Sequence, residues 1–324
     1  MKTKMFILYL ETYVVGVLFD TDQNNTRISG FVIDHIFHGE ITLSNGTVVY
    51  FEDPVKYPNI HKKCLTCPSF TYTKNDYINI WKGKEVYRMK QVNFSADIER
   101  KSKNIYKSIA YQKLHENFVK RYLTLSTTIA QISGHIRVLN KFLSENFQDN
   151  QVLQYHIKYV KVFGRGHELD AVKHSPEPLL VGAVKLSENT DVCTTGVYVS
   201  EDWDEILGYA HLGNSIYGLC NIKSAFVVTS ILSNTQVSDA ILRSTTVHEI
   251  GHNLGSEHDP EENSKSHTLK EIEECSSIHR YVMAALTSDV EDENNLKFSP
   301  CSIKAMRNII NIPRRRKCLK GFLH

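Results

Sequence analysis

Three imidazoles and a carboxylate crowd into one short stretch, His248-Glu249-Ile250-Gly251-His252-Asn253-Leu254-Gly255-Ser256-Glu257-His258-Asp259. His248 and His252 are four residues apart, so on a helix they leave from the same face. Two imidazoles on one face can bind one Zn2+, and Glu249, beside the first of them, reaches a metal-bound water rather than the metal. Gly255 follows His252 by three positions, and glycine takes the left-handed conformation without steric cost. A helix that stops there and turns sharply brings His258 back as a third ligand. Three histidines leave a fourth tetrahedral position for water, the pattern of a catalytic rather than a structural site, here with one Zn2+ ion.

The chemistry needs a helix under it, and the upstream residues favour one. Ser238 or Asp239 can cap it, and Ala240, Ile241, Val247 and Ile250 give it an apolar side. A second helix is expected over residues 126–146, where Ile129, Ile132, Ile136, Leu139 and Leu143 recur at three and four residues. Residues 152–163 alternate as a strand, residues 192–199 and 226–232 are β-rich, and a short helix is expected over 179–186 after Pro178. Helices alternating with strands argue for an α/β layer structure. Further upstream, Asn45-Gly46 between two β-rich runs signals a hairpin within a small antiparallel unit over residues 28–51. A linker is expected around residues 90–105. Arg314-Arg315-Arg316-Lys317 reads as solvated charge at a helix end.

Composition narrows the class. The chain has 324 residues, and 38 Lys plus Arg against 36 Asp plus Glu leave a net charge of +2, which gives no electrostatic case for a nucleic-acid partner. A hydrophobic content of 41% excludes a disordered chain. The length suggests about two domains. No apolar run reaches the roughly 18 residues that span a bilayer, so no transmembrane segment is expected. Residues 1–10 are basic then apolar, like the first half of a signal peptide, but Glu11 breaks the run without a small-x-small cleavage site, and a β-strand is the plainer reading. Seven cysteines, five of them in the C-terminal half at non-metal spacings, suggest disulfides and an oxidising compartment, with an odd thiol left over. Sequons open at Asn24, Asn45 and Asn93.

The three-histidine pattern is the signature of the metzincin metalloproteases, and the rest of the chain resembles them. Tyr281-Val282-Met283-Ala284 resembles their methionine turn, with Met283 as its methionine and Ala285 where some relatives carry a tyrosine ligand. Asp259 after the third histidine points to the adamalysin/ADAM (reprolysin) branch. Asn294-Asn295-Leu296-Lys297-Phe298-Ser299-Pro300-Cys301-Ser302-Ile303 and Ile129-Ala130-Gln131-Ile132-Ser133 look most like the Kuzbanian-type ADAM sheddases. The resemblance implies an α/β (α+β) zinc protease fold with a twisted, mixed, five-stranded sheet and a zinc helix over residues 104–324. It implies a small truncated β-rich prodomain over 1–103.

The same resemblance implies zinc ligation by His248, His252 and His258, catalysis by Glu249, structural roles for Gly255, Met283 and Asp259, and an edge strand at Gly208-Tyr209-Ala210-His211-Leu212-Gly213 to which substrate adds. It pairs Cys220 with Cys318 and Cys275 with Cys301. Ser108 stands where the partner of Cys193 usually lies, so Cys193 is the odd thiol or pairs irregularly. Cys64 and Cys67 form a lone CxxC, open to a zinc-ligating latency role or, more simply, to a local disulfide or thiols. The implied substrates are proteins and peptides, above all membrane-protein ectodomains, met in the secretory pathway or at the cell surface. The alternative is a silent pseudoprotease that keeps the fold for binding or adhesion.

Overall fold

The computed structural model describes strands between residues 13 and 92, and then residues 104–122, 125–146, 151–187, 192–220, 223–262, 267–285, 294 and 297–315. Two compact units emerge, one mostly N-terminal and one holding the rest of the chain. The N-terminal unit carries an antiparallel meander in which β1 (Tyr13–Val17), β2 (Arg27–Ile33), β3 (Ile36–Thr42), β4 (Val48–Glu52) and β5 (Phe70–Thr73) pair in sequence order. The Asn-Gly hairpin joins β3 to β4, where Leu43 N–H donates to Thr47 O (2.8 Å) and Thr47 N–H to the Asn45 side chain (2.9 Å). An Asx side chain that bonds the backbone two residues on is a reason asparagine suits such turns.

The second unit is built on a seven-stranded mixed sheet of order β6-β10-β11-β9-β7-β8, with β12 beside β11. Its strands are β6 (Arg88–Val92), β7 (Asn104–His115), β8 (Gln151–Phe163), β9 (Thr194–Asp202), β10 (Ile206–His211), β11 (Ala225–Leu232) and β12 (Thr235–Gln236). Five strands were expected, and the four ranges read from the sequence fall on β8 to β11. Strands β6, β7 and β12 were not placed by the sequence. β12 is a two-residue return after the turn at Ser233 and Asn234, both at positive φ. β6 falls before the expected boundary at residue 103 and runs into the expected linker around residues 90–105, yet it pairs in parallel with β10, matching Tyr209 to Lys90 and His211 to Val92. Strand pairing through backbone groups needs no side-chain pattern, which is why period alone misses such a strand.

The helices are α1 (Glu116–Arg121), α2 (Leu125–Asn146), α3 (Glu168–Val172), α4 (Pro176–Ser187), α5 (Asp239–Asn253), α6 (Leu269–Cys275) and α7 (Pro300–Ile310). Helix α2 buries Ile132, Ile136, Leu139 and Leu143, the period read from its sequence. On one side of the sheet, Val197 and Val199 of β9 and Ala225 and Val227 of β11 pack with Leu169 of α3 and Leu179, Leu180 and Ala183 of α4. Burying aliphatic side chains of this size contributes about 1.5–3 kcal/mol each, which makes this layer the anchor of the domain. His167 caps α3 by accepting from Leu169 N–H (3.1 Å).

The C-terminal charge run departs from its expected solvation at one position. Arg315 is fully buried, and its guanidinium donates to the backbone carbonyls of Asn214, Tyr217 and Leu219. A guanidinium carries five donors in a fixed fork, so several carbonyls converging on it can share its hydrogen bonds. Sequence position alone cannot tell this arginine from its neighbours. Cys64, Cys67, Asn24, Asn93 and Cys318 lie outside the described residues.

Candidate metal centre

Helix α5 starts at Ser238, whose side chain accepts from Ile241 N–H (3.3 Å), which decides the cap between the two candidates. The helix runs beneath the sheet and carries His248, Glu249 and His252, all fully buried. It ends as its glycine requires. Leu254 closes the last turn, Gly255 takes φ +97°, and the N–H groups of Gly255 and Ser256 return to His252 O (2.9 Å) and Gly251 O (3.0 Å). This pair of bonds is a Schellman turn, and only glycine takes the left-handed position without cost.

The turn brings His258 back to the helix. The Nε2 atoms of His248 and His252 are 3.0 Å apart, and that of His258 is 3.2 Å from each. His248 Nδ1 lies 2.7 Å from Val282 O, and His252 Nδ1 lies 2.7 Å from Ser256 O. A carbonyl only accepts, so both Nδ1 atoms carry the proton and both Nε2 atoms present lone pairs to the same point. Four-coordinate zinc with Zn–N bonds of roughly 2.0–2.1 Å holds its nitrogens about 3.3 Å apart, so this donor set fits a tetrahedral ion. The two carbonyls orient the rings, as outer partners of metal-bound imidazoles do. Among the described residues these three histidines are the one cluster with such geometry.

Electrostatics agree with a cation site. Burial, and then the neighbouring His252 and His258, hold His248 well below its ordinary 6.5. Burial brings His252 down to about 3 and His258 to about 4. All three are therefore neutral and ready to ligate at pH 7. Burial pushes Glu249 well above the ordinary carboxylate range, and neither of its carboxylate oxygens has a hydrogen-bond partner. An orphaned carboxylate beside three convergent nitrogens is what a metal-bound water would satisfy.

The supporting residues converge from distant parts of the chain. Met283 is fully buried against Gly251, where a side chain would stand 2.5 Å from the Met283 sulfur. The Met283 carbonyl accepts from Asp259 N–H (3.0 Å), and the Asp259 carboxylate accepts from the hydroxyls of Ser299 and Ser302 at the start of α7. Burial raises Asp259 to about 6, against the pull of those two hydroxyls. Cys275 and Cys301 form the expected disulfide, which ties α6 to α7. Cys220 is disulfide-bonded, and its Sγ lies 2.7 Å from that of the buried Cys193.

Asn253 was missed by sequence reasoning. Its amide donates to His211 O (3.0 Å) and Ala225 O (2.9 Å), and its Oδ1 accepts from the Thr194 hydroxyl (3.0 Å). One buried side chain thus ties the end of the histidine helix to β9, β10 and β11. The available signal was a polar residue on the buried turn between His252 and Gly255.

Comparison with known proteins gives a consistent answer. Residues 163–312 match the model of the reprolysin-like metallopeptidase family M12B. The chain is 23% identical over 338 residues to the disintegrin and metalloproteinase domain-containing protein 10 of Bos taurus and, equally, to that of Homo sapiens, covering 89% of this chain and 45% of each relative. It is 29% identical over 151 residues to a Caenorhabditis elegans homologue of disintegrin and metalloproteinase domain-containing protein 17, covering 40% of this chain and 20% of that one. The chain thus spans less than half the length of the curated relatives it matches. In fold it is similar to metalloproteinase-II from Bacteroides fragilis, with TM-score 0.52 and 16% identity over 94% of this chain and 84% of that one.

Proposed function

The chain is a metallopeptidase of the adamalysin (reprolysin-like M12B) family, and on that premise we propose that it hydrolyses internal peptide bonds of proteins at one zinc ion held by His248, His252 and His258. The observation that carries this reading is the convergence of three neutral Nε2 atoms within 3.2 Å of one another beside the orphaned carboxylate of Glu249. Zinc bound there supplies a Lewis acid for the scissile carbonyl and lowers the pKa of its water toward about 7. Glu249 accepts the water's proton and delivers it to the leaving amine. Its raised affinity for protons suits both halves of that task. Val282 O and Ser256 O hold the first two imidazoles in the ligating tautomer. Gly255, Met283 and Asp259 keep the third histidine and the floor of the site in place.

Substrate adds as an antiparallel strand to β10, in keeping with the edge-strand role its sequence resembles. That edge is taken by β6 in the parallel sense, so a substrate strand there replaces β6. The substrates are ectodomains of membrane proteins, and the setting is the secretory pathway or cell surface. Both follow from the resemblance to Kuzbanian-type sheddases. No described helix is long and apolar enough to cross a membrane.

The test is cleavage of a quenched fluorescent peptide library by the full chain and by residues 104–324, with Glu249→Ala beside each and zinc assayed throughout. The expected result is chelator-sensitive cleavage that is stronger in the shorter chain and absent from both variants. One zinc per chain with no cleavage in any sample would overturn the protease reading in favour of a zinc-bound binding protein.

A further inference from the structure

Glycine in the middle of a strand weakens it, because it gives up conformational entropy and has no side chain to pack. Gly208 is such a residue, in β10 opposite Val228 of β11. Its backbone does not require glycine, because it is not among the positive-φ positions. Side chains alternate along a strand, so the neighbouring Tyr209, which packs in the apolar layer with α4, leaves Gly208 facing α5. The Glu249 side chain fills that space. A Cβ on Gly208 would stand 2.6 Å from Glu249 Cγ and 2.7 Å from its Cδ, and nearer still to Oε1. Carbon contacts settle at about 3.5–4.0 Å, so the overlap is close to 1 Å. Two other glycines beside α5 differ in kind, because Gly213 and Gly218 press on the backbone carbonyl of Asn253, while the three atoms nearest a Cβ at Gly208 all belong to the Glu249 side chain.

We propose that Gly208 is a positioning residue for peptide hydrolysis: its bare Cα is the surface against which the Glu249 carboxylate rests, and any side chain there displaces the base. The proposal rests on the protease reading for its catalytic half. Its packing half stands on geometry alone. Glu249 is fully buried, so the clash is relieved by moving its carboxylate or straining the strand.

The test is Gly208→Ala combined with changes at Glu249 in the full chain. With peptide substrate, Gly208→Ala should keep one zinc per chain and lower kcat about a hundredfold with KM nearly unchanged, the scale of loss that a 1 Å misplacement of a reacting group produces. Glu249→Asp withdraws the carboxylate by one methylene, so in that background the same alanine should cost only a few-fold. Melting of the zinc-free protein supplies the second readout. Gly208→Ala should lower Tm by about 4 °C or more in the wild type and not at all in Glu249→Ala, where the clash is gone. Equal effects in both backgrounds, in kcat and in Tm, would overturn the proposal, as would an unchanged kcat in Gly208→Ala. A wild type whose cleavage does not depend on Glu249 would instead defeat the protease reading, and the melting cycle would then decide the packing claim by itself.

Discussion

The two faces of strands β9 and β11 are built from alternate residues of the same short sequences, yet they do different work. One face offers Val197, Val199, Ala225 and Val227 to the leucines of α3 and α4, a dry aliphatic layer. The other offers Thr194 and Tyr198 to α5, with Phe226 edge-on to Tyr198 at 6.0 Å and the Thr194 hydroxyl bonded to Asn253. The first face is satisfied by shape and exclusion of water. The second is satisfied by donors and acceptors in fixed places, and Glu249, His248 and His252 are buried beneath it. A period of two lets one strand anchor a fold on one side and aim chemistry on the other. The aiming side gives up packing to do so.

Changes confined to one face should therefore separate turnover from stability. The largest separation is expected for Glu249→Gln, which keeps the shape of the side chain but removes the base. Turnover should fall at least about a thousandfold, within the range general bases contribute, while zinc content and Tm hold or Tm rises. Peptide cleavage, metal analysis and calorimetry check it. Leu180→Ala on the opposite side should cost about 2–5 kcal/mol in a denaturant titration, with kcat per folded molecule unchanged. A fall in kcat would break the comparison by coupling the two faces.

Swapping the same two residue types in opposite directions is subtler. Thr194→Val strands Asn253 Oδ1, and Val197→Thr buries a hydroxyl among aliphatic groups, so each should cost about 1–3 kcal/mol. Only Thr194→Val should also weaken zinc binding, measured by competition with a chromophoric chelator. Ser238→Ala removes the cap of α5 and should cost about 1 kcal/mol without moving kcat.

The smallest effect is an expected absence. Zinc competes with protons for imidazoles, and ordinary histidines would begin to lose the metal as pH falls through 6.5. Here burial places His252 at about 3 and His258 at about 4, so loading should barely change between pH 7 and 5 and fail only near 4. Metal analysis after dialysis at stepped pH would expose any loss above pH 5.

The histidine site was legible because its logic is local. A spacing of four on a helix and a glycine three residues on fix where two imidazoles point and where the third returns, whatever the rest of the chain does. The long helix α2 and strands β8, β9 and β11 were legible for the same reason, each carrying its own period. What escaped was set by partners far along the chain. Asn253 is held by Thr194 and His211, Gly208 is required by Glu249, and Arg315 answers carbonyls nearly a hundred residues upstream. No spacing rule announces such pairs, because their meaning exists only once the strands have been laid side by side. Strand β6 escaped differently, since its place is fixed by backbone hydrogen bonds to β10.

The buried Arg315 has a mechanical consequence. Its guanidinium grips the loop that leaves β10, and that loop is itself bonded to the end of the histidine helix through Gly213 N–H to His252 O (2.7 Å) and Leu219 N–H to Asn253 O (3.1 Å). A pull applied to the chain after residue 315 is therefore not absorbed by α7 alone. It passes through one side chain to the loop, and from the loop to the turn of helix that carries the second histidine, so tension on the C-terminal end is felt at the metal centre.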